Sequence, residues 1–199
     1  LKDLFQQLMK IENLKNIKLI THQTDQLITK RIYDTKPPCI SEWYSVNVGH
    51  KADDLFPIPL GIANAFQSNY LNPLSLNGIS AFDSSKIEPK VYVNFKPSTN
   101  SKERNDIYNS LKKYPFFEID EPNLSVKEYI NRVELNSFVL APWGNGIDSH
   151  RLWESLYLGK IPITKYHQTY ETTKGLPILF EKNLKKITKE ELISYIDKL

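Results

Sequence analysis

A chain of 199 residues is long enough to bury a sizeable core in one large or two small domains. It is 40% hydrophobic and 25% charged, an ordinary globular composition, and a formal charge of +3 is too weak and dispersed to argue for nucleic acid. The single Cys39 excludes an internal disulfide framework and a cysteine-based zinc site, and no apolar run approaches the roughly 20 residues that span a bilayer.

The charge is unevenly placed. Residues 1–88 carry 9 basic and 9 acidic side chains, whereas residues 89–199 carry 17 and 14. The excess therefore lies in the second half, which suits a small anionic ligand. No signal-peptide pattern is visible; the chain opens on Leu1 rather than Met, so an upstream anchor or signal would not show here.

In chain order, Leu1, Leu4, Phe5, Leu8, Met9 and Ile11 fall near helical spacing over 1–13. Ile17–Ile20 reads as a short buried strand ending at Thr21-His22-Gln23-Thr24-Asp25. A helix is expected over 25–33, stopped by Pro37-Pro38. The pattern of Trp43–Val48 fits strand or helix. Phe56–Ile62 reads as a strand broken by Pro57 and Pro59, and 67–88, rich in Ser, Asn, Gly and Pro, as loop or linker.

The second half alternates more cleanly. Strands are expected at Val91–Phe95, Phe116–Ile119, Phe138–Ala141, Ile161–Thr164 and Leu176–Phe180. Helices are expected at 101–113, at 125–135 opened by Ser125, at 148–158 stopped by Gly159, and at 188–198. Such alternation implies a parallel sheet covered on both faces, with ligands at the carboxyl ends of its strands.

The most informative stretch runs from Phe138 to Glu154: an apolar strand, the turn Gly144-Asn145-Gly146, and a helix with Asp148 as expected N-cap, followed by Ser149, His150, Arg151 and Glu154. Amides and a cation at the positive end of a helix dipole suit a phosphate, and a carboxylate one turn further in suits a sugar hydroxyl. The turn lacks the third glycine of a dinucleotide fingerprint and the Gly-Lys-Ser/Thr of a P-loop. Arg151 and Glu154, spaced i,i+3, also fit a surface ion pair.

Two other loops follow strands. Lys96, Thr99, Asn100 and Arg104 would face the same crevice as the glycine turn, although Thr99 and Asn100 are equally ordinary helix caps. His22 and Asp25 could provide a general base, or Asp25 could cap a helix. No metal is expected: the four histidines are scattered, no Asp-x-Asp occurs, and Asp53-Asp54 is the only adjacent aspartate pair. No Gly-x-Ser-x-Gly elbow is present. Trp43, Tyr44, Trp143 and Trp153 could stack on sugar rings or simply pack in the core.

Pro142-Trp143-Gly144-Asn145-Gly146-Ile147-Asp148-Ser149-His150-Arg151-Leu152-Trp153-Glu154-Ser155-Leu156, followed by Gly159-Lys160-Ile161-Pro162-Ile163, resembles the donor-site signature of exostosin-like glycosyltransferases (glycosyltransferase family 47-like). Thr21-His22 with Asp25, Trp43 with Asn47, Ile58-Pro59-Leu60-Gly61-Ile62, and Asn94-Phe95 with Thr99-Asn100 and Arg104 are similar to related bacterial and viral proteins. Lys160 stands where the family often has cysteine.

The resemblance implies an α/β fold of the GT-B type, with two Rossmann-like domains. These would be a short N-terminal acceptor-side domain, 1–88, and a C-terminal nucleotide-sugar domain, 89–199. The expected activity is metal-independent sugar transfer from a nucleoside-diphosphate donor, UDP-linked by the family's habit, to a hydroxyl of a glycan acceptor, as in polysaccharide biosynthesis. Arg151, Arg104 and Lys96 with the 145–149 amides would meet the diphosphate, Glu154 the ribose, and Asp25 or His22 would be the base. The alternative is a non-catalytic nucleotide- or glycan-binding module of the same fold. No nucleic acid, membrane span or further cofactor is expected. The location would be the cytoplasm for a bacterial or viral chain, which is preferred, and the Golgi lumen for a eukaryotic fragment.

Overall fold

A computed structural model of the protein describes residues 1–65, 70–76 and 87–199. The fold is α/β, with two wholly parallel sheets of three and five strands and a Rossmann-like alternation of strand and helix. The chain forms two compact units. One comprises Leu1–Leu60, Gly146–Asp148 and His167–Lys174; the other comprises Gly61–Asn145, Ser149–Tyr166 and Gly175–Leu199. Among the described residues, no helix is long and apolar enough to cross a membrane.

The first unit holds α1 (Lys2–Leu8), β1 (Ile17–Thr21), α2 (Lys30–Tyr33), β2 (Ile40–Ser45) and β3 (Leu55–Pro57), with sheet order β1-β2-β3. Phe5 of α1 meets Trp43 edge-on at 5.4 Å, and Ile28, Ile40, Val48 and Leu55 complete this core. The expected helix over 25–33 is reduced to its last turn. Ile28 instead makes an isolated parallel bridge to Val48, which needs extended backbone. β3 ends at Pro57, and Pro59 cannot donate to a ladder, so the expected strand to Ile62 stops early. Gln23 and Asn47, each just beyond a strand of this sheet, adopt left-handed φ values of 57° and 56°. Asn tolerates that conformation better than most side chains.

A 3-10 helix at Gln168–Thr173 also belongs to this unit, and no periodic pattern announced it. Gln168 Nε2 and Thr169 Oγ1 donate to the Val48 carbonyl at 3.0 and 3.2 Å, while Tyr170 donates to the Ile147 carbonyl at 2.6 Å.

The second unit holds β4 (Val91–Val93), α3 (Ser101–Leu111), β5 (Phe117–Ile119), α4 (Val126–Glu134), β6 (Phe138–Leu140), α5 (His150–Tyr157), β7 (Ile161–Thr164), β8 (Leu179–Phe180) and α6 (Lys189–Ile196). Capping boxes start α4 (Ser125 with Glu128) and α6 (Thr188 with Glu191). Gly159, at φ 66°, ends α5 as a left-handed cap. α3 and α6 cover one face through Ile107, Leu111 and Leu192 against Val91, Val93, Phe138 and Leu140. α4 covers the other through Tyr129 and Val133, with Leu158 at the end of α5, against Tyr92 and Val139. Most of the expected 67–88 loop lies outside the described residues; within it, Pro73–Leu76 forms a 3-10 turn.

The order β5-β4-β6-β7-β8 places the site. From β4 the chain crosses outward to β5, then returns past β4 to β6. Connections therefore diverge between β4 and β6, and a doubly wound sheet opens its ligand crevice beyond the carboxyl ends of such a pair.

His167 caps the 3-10 helix, its Nδ1 accepting from the Thr169 amide at 3.2 Å. Burial holds its pKa below the ordinary 6.5. A lowered histidine pKa gives stability that is present above about pH 6.5 and lost as pH falls through the folded-state value, because protonated Nδ1 cannot accept. Hydrogen-exchange protection of 168–173 should therefore fall between about pH 7 and pH 5 while that of β4 and β6 holds. Unchanged protection of 168–173 would contradict this.

Candidate functional site

Two arginines reach the β4/β6 carboxyl ends, one from each face of the sheet. Arg104, on α3, is 6% exposed. Its Nε donates to the Trp143 carbonyl at 2.9 Å and its Nη2 to Pro142 at 2.7 Å. Its Nη1 donates to the Lys96 carbonyl at 3.0 Å and to Thr99 Oγ1 at 2.7 Å. Four of the five N–H groups of a guanidinium are thus spent on the loops after β4 and β6. Asn100 Nδ2 adds a 3.3 Å bond to the Trp143 carbonyl.

Arg104, expected to meet a diphosphate, staples the two loops that frame the crevice. Lys96 serves this framework through its carbonyl, and its side chain is exposed. A Cβ at Gly144 would stand 3.1 Å from Arg104 Nη2, so a larger residue there would press on this staple.

Arg151 opens α5 on the opposite face. Its guanidinium carbon lies 4.1 Å from the Tyr129 ring centroid, Nη2 donates to Asn94 Oδ1 at 3.3 Å, and Nη1 lies 3.5 Å from Glu154 Oε2. Nη1 is buried without a hydrogen-bond partner in the structure. Its contacts are long, its donors are largely unspent, and an aromatic face holds it.

The electrostatics follow from this geometry. Burial, then the nearby Arg151, pushes the Arg104 pKa down to about 10 despite the adjacent Glu103. Burial also works against charge on Arg151, but its surroundings outweigh that and the net shift is upward. Burial raises the Tyr129 phenol pKa, and Tyr129 and then Glu154 are the neighbours that favour charge on Arg151. A buried and a partly buried like charge at the same strand ends make a field that an anion would relieve.

Asp148 is not the N-cap of α5; Ser149 takes that position, without a side-chain cap bond. Asp148 belongs to the first unit, where its amide donates to Asn47 Oδ1 at 2.7 Å and its buried carboxylate accepts from the Leu60 amide at 2.8 Å. Asn47 also donates to the Thr24 carbonyl at 2.9 Å. Gly146 is packed against the same residue: a Cβ there would lie 2.9 Å from Asn47 Nδ2 and 3.1 Å from Asp25 Oδ1. Asn145 between the two glycines is exposed.

His150 Nδ1 lies 2.7 Å from the Gly61 carbonyl and His22 Nε2 lies 3.0 Å from the Pro59 carbonyl. A carbonyl only accepts, so those nitrogens carry the protons. Within the first unit, Asp25, Gly146 and Asp148 therefore gather at Asn47. Within the second, Lys96, Thr99, Asn100, Arg104 and Gly144 gather in one network, and Arg151 and Glu154 in another.

Sequence reasoning missed Tyr129, whose place in the apolar stripe of α4 reads as core, and the anchoring role of Asn47. Among the described residues, no group of three or more His, Cys, Asp or Glu side chains could hold a metal ion. No protein-family model matches the chain, and no curated protein matches it.

Tyr129 supports Arg151 through its ring, while its buried hydroxyl lies near Arg151 and Glu154 without a hydrogen bond of normal geometry to either. Tyr129→Phe should change stability by no more than about 1 kcal/mol. Tyr129→Leu should lower it by about 2 kcal/mol or more, through lost cation–π contact and packing. Urea unfolding of both variants measures this, and equal losses for Phe and Leu would mean that the hydroxyl, not the ring, matters.

Proposed function

We propose that the protein is a GT-B-type glycosyltransferase of the exostosin-like kind, moving a sugar from a UDP-linked donor to a glycan hydroxyl without a metal. The observation that carries this reading is Arg151: a partly buried guanidinium whose surroundings favour its charge, with unspent donors beside Glu154, at the carboxyl ends of β4 and β6. A doubly wound sheet binds ligands there, and a helix N-terminus reinforces an anion.

In this reaction the bond between the anomeric carbon and the diphosphate breaks as the acceptor oxygen bonds to that carbon. The diphosphate departs with its charge, and Arg151 with the amides that open α5 stabilises it. Arg104 contributes its field and holds the 96–99 and 142–144 loops in place; the phosphate contact is left to Arg151. Glu154 takes the ribose hydroxyls. The acceptor hydroxyl gives its proton to Asp25, which is exposed at the end of the loop after β1. His22, whose Nε2–H donates to the Pro59 carbonyl and leaves Nδ1 as the basic nitrogen, is the other candidate base.

The alternative is a binding module of this fold in which nucleotide or glycan is held but not turned over. Calorimetry separates the readings. UDP should bind, with affinity unchanged by EDTA, and donor turnover should follow. Removing the Arg151 guanidinium should cost about 10²–10³ in rate. Asp25→Asn should cost about 10²–10⁴ in transfer with donor binding nearly intact. Binding without turnover for every sugar and acceptor would leave the module, and no binding of any nucleoside diphosphate would remove both readings.

A further inference from the structure

A cavity of about 410 Å³ in the second unit has a lining that does not include Arg151. It is bounded by the first turns of α3, by Lys165 just after β7, and by the 182–185 loop after β8. Four lysines line it: 102, 165, 182 and 185. Facing them are only two carboxylates, Glu103 and Asp106.

Glu103 is committed to Lys165 at 2.5 Å, and Asp106 stands 3.6 Å from Lys185. Lys102 and Lys182 are exposed and have no ion-pair partner among the described residues. The cavity thus carries surplus positive charge at two points on its rim.

The rest of the lining suits a sugar. Ile107 and Leu184, buried in the sheet core, form its closed floor, so a ligand would be held by the polar groups of the rim. The carboxylates can accept from hydroxyls, and so can Asn100, whose amide nitrogen is already engaged with Glu103 and the Trp143 carbonyl. The volume falls in the lower part of the range for small-molecule sites. Lysine acts as a point charge that suits carboxylate, sulfate or phosphate alike.

One contact links this cavity to the β4/β6 crevice. Lys165 Nζ sits 4.0 Å from the Trp143 ring centroid, and the carbonyl of Trp143 is held by Arg104. From these features we infer that the cavity is a binding site for a sugar residue bearing an anionic substituent. Its use as an acceptor subsite rests on the proposed transferase reading, but the binding does not.

The test is a titration of the whole chain with four probes: a uronic-acid disaccharide, its neutral parent, a hexose 6-phosphate and inorganic phosphate. UDP is titrated in parallel. One or both anionic sugars should bind about tenfold or more tighter than the neutral disaccharide. The Lys102→Glu/Lys182→Glu double variant should lose about tenfold or more of that affinity with UDP affinity unchanged.

The uronate and phosphate arms identify which substituent is taken. The inference is overturned if the neutral disaccharide binds as well, if inorganic phosphate binds as well as either anionic sugar, if the double variant binds unchanged, or if no probe binds. Failure of UDP alone removes the transferase reading and leaves this site standing.

Discussion

Placing two guanidiniums on opposite faces of one sheet edge is costly, because each disfavours the other's charge and burial disfavours both. In this protein the cost is met unequally. Arg104 is surrounded by three backbone carbonyls and a threonine hydroxyl. Such bonds to a charged donor contribute about 1.5–3 kcal/mol each, and they close the loops after β4 and β6. Arg151 has a ring, one 3.3 Å bond and one 3.5 Å carboxylate contact. The first arginine is part of the framework, and the second is the one with binding capacity to give.

The turn between β6 and α5 satisfies two sets of neighbours with one residue type. Gly144 admits Arg104 of the second unit, and Gly146 admits Asn47 and Asp25 of the first. Three residues, Gly146–Asp148, belong to the first unit although the chain on either side belongs to the second. Asp148 is fixed there by Asn47 and Leu60. In the second unit the residues before the turn are held by Arg104, and in the first Asp148 is held by Asn47 and Leu60.

Much of this layout was legible before the structure. Alternating apolar runs located β4 to β7, and the glycine-bounded segment 148–159 located α5 to within two residues of its start. What the sequence could not supply were long-range partners. Asp148 looked like a local cap because the amide of Leu60, far off in the chain, is invisible to spacing. Residues 25–28 looked helical because the bridge from Ile28 to Val48 overrides local preference. Arg104 was recognised by charge, but charge alone does not distinguish a cation awaiting a phosphate from one saturated by carbonyls. The 168–173 segment carries no periodicity and is fixed by donors to Val48 and Ile147.

The division of labour between the two arginines is tested most directly by a structure of the protein with UDP bound. A phosphate oxygen should lie within hydrogen-bond distance of an Arg151 Nη atom, with the ribose hydroxyls on Glu154. Arg104 should keep its bonds to the carbonyls of Lys96, Pro142 and Trp143. A diphosphate held by Arg104 after release of those carbonyls, or lodged away from the β4 and β6 carboxyl ends, would contradict that assignment.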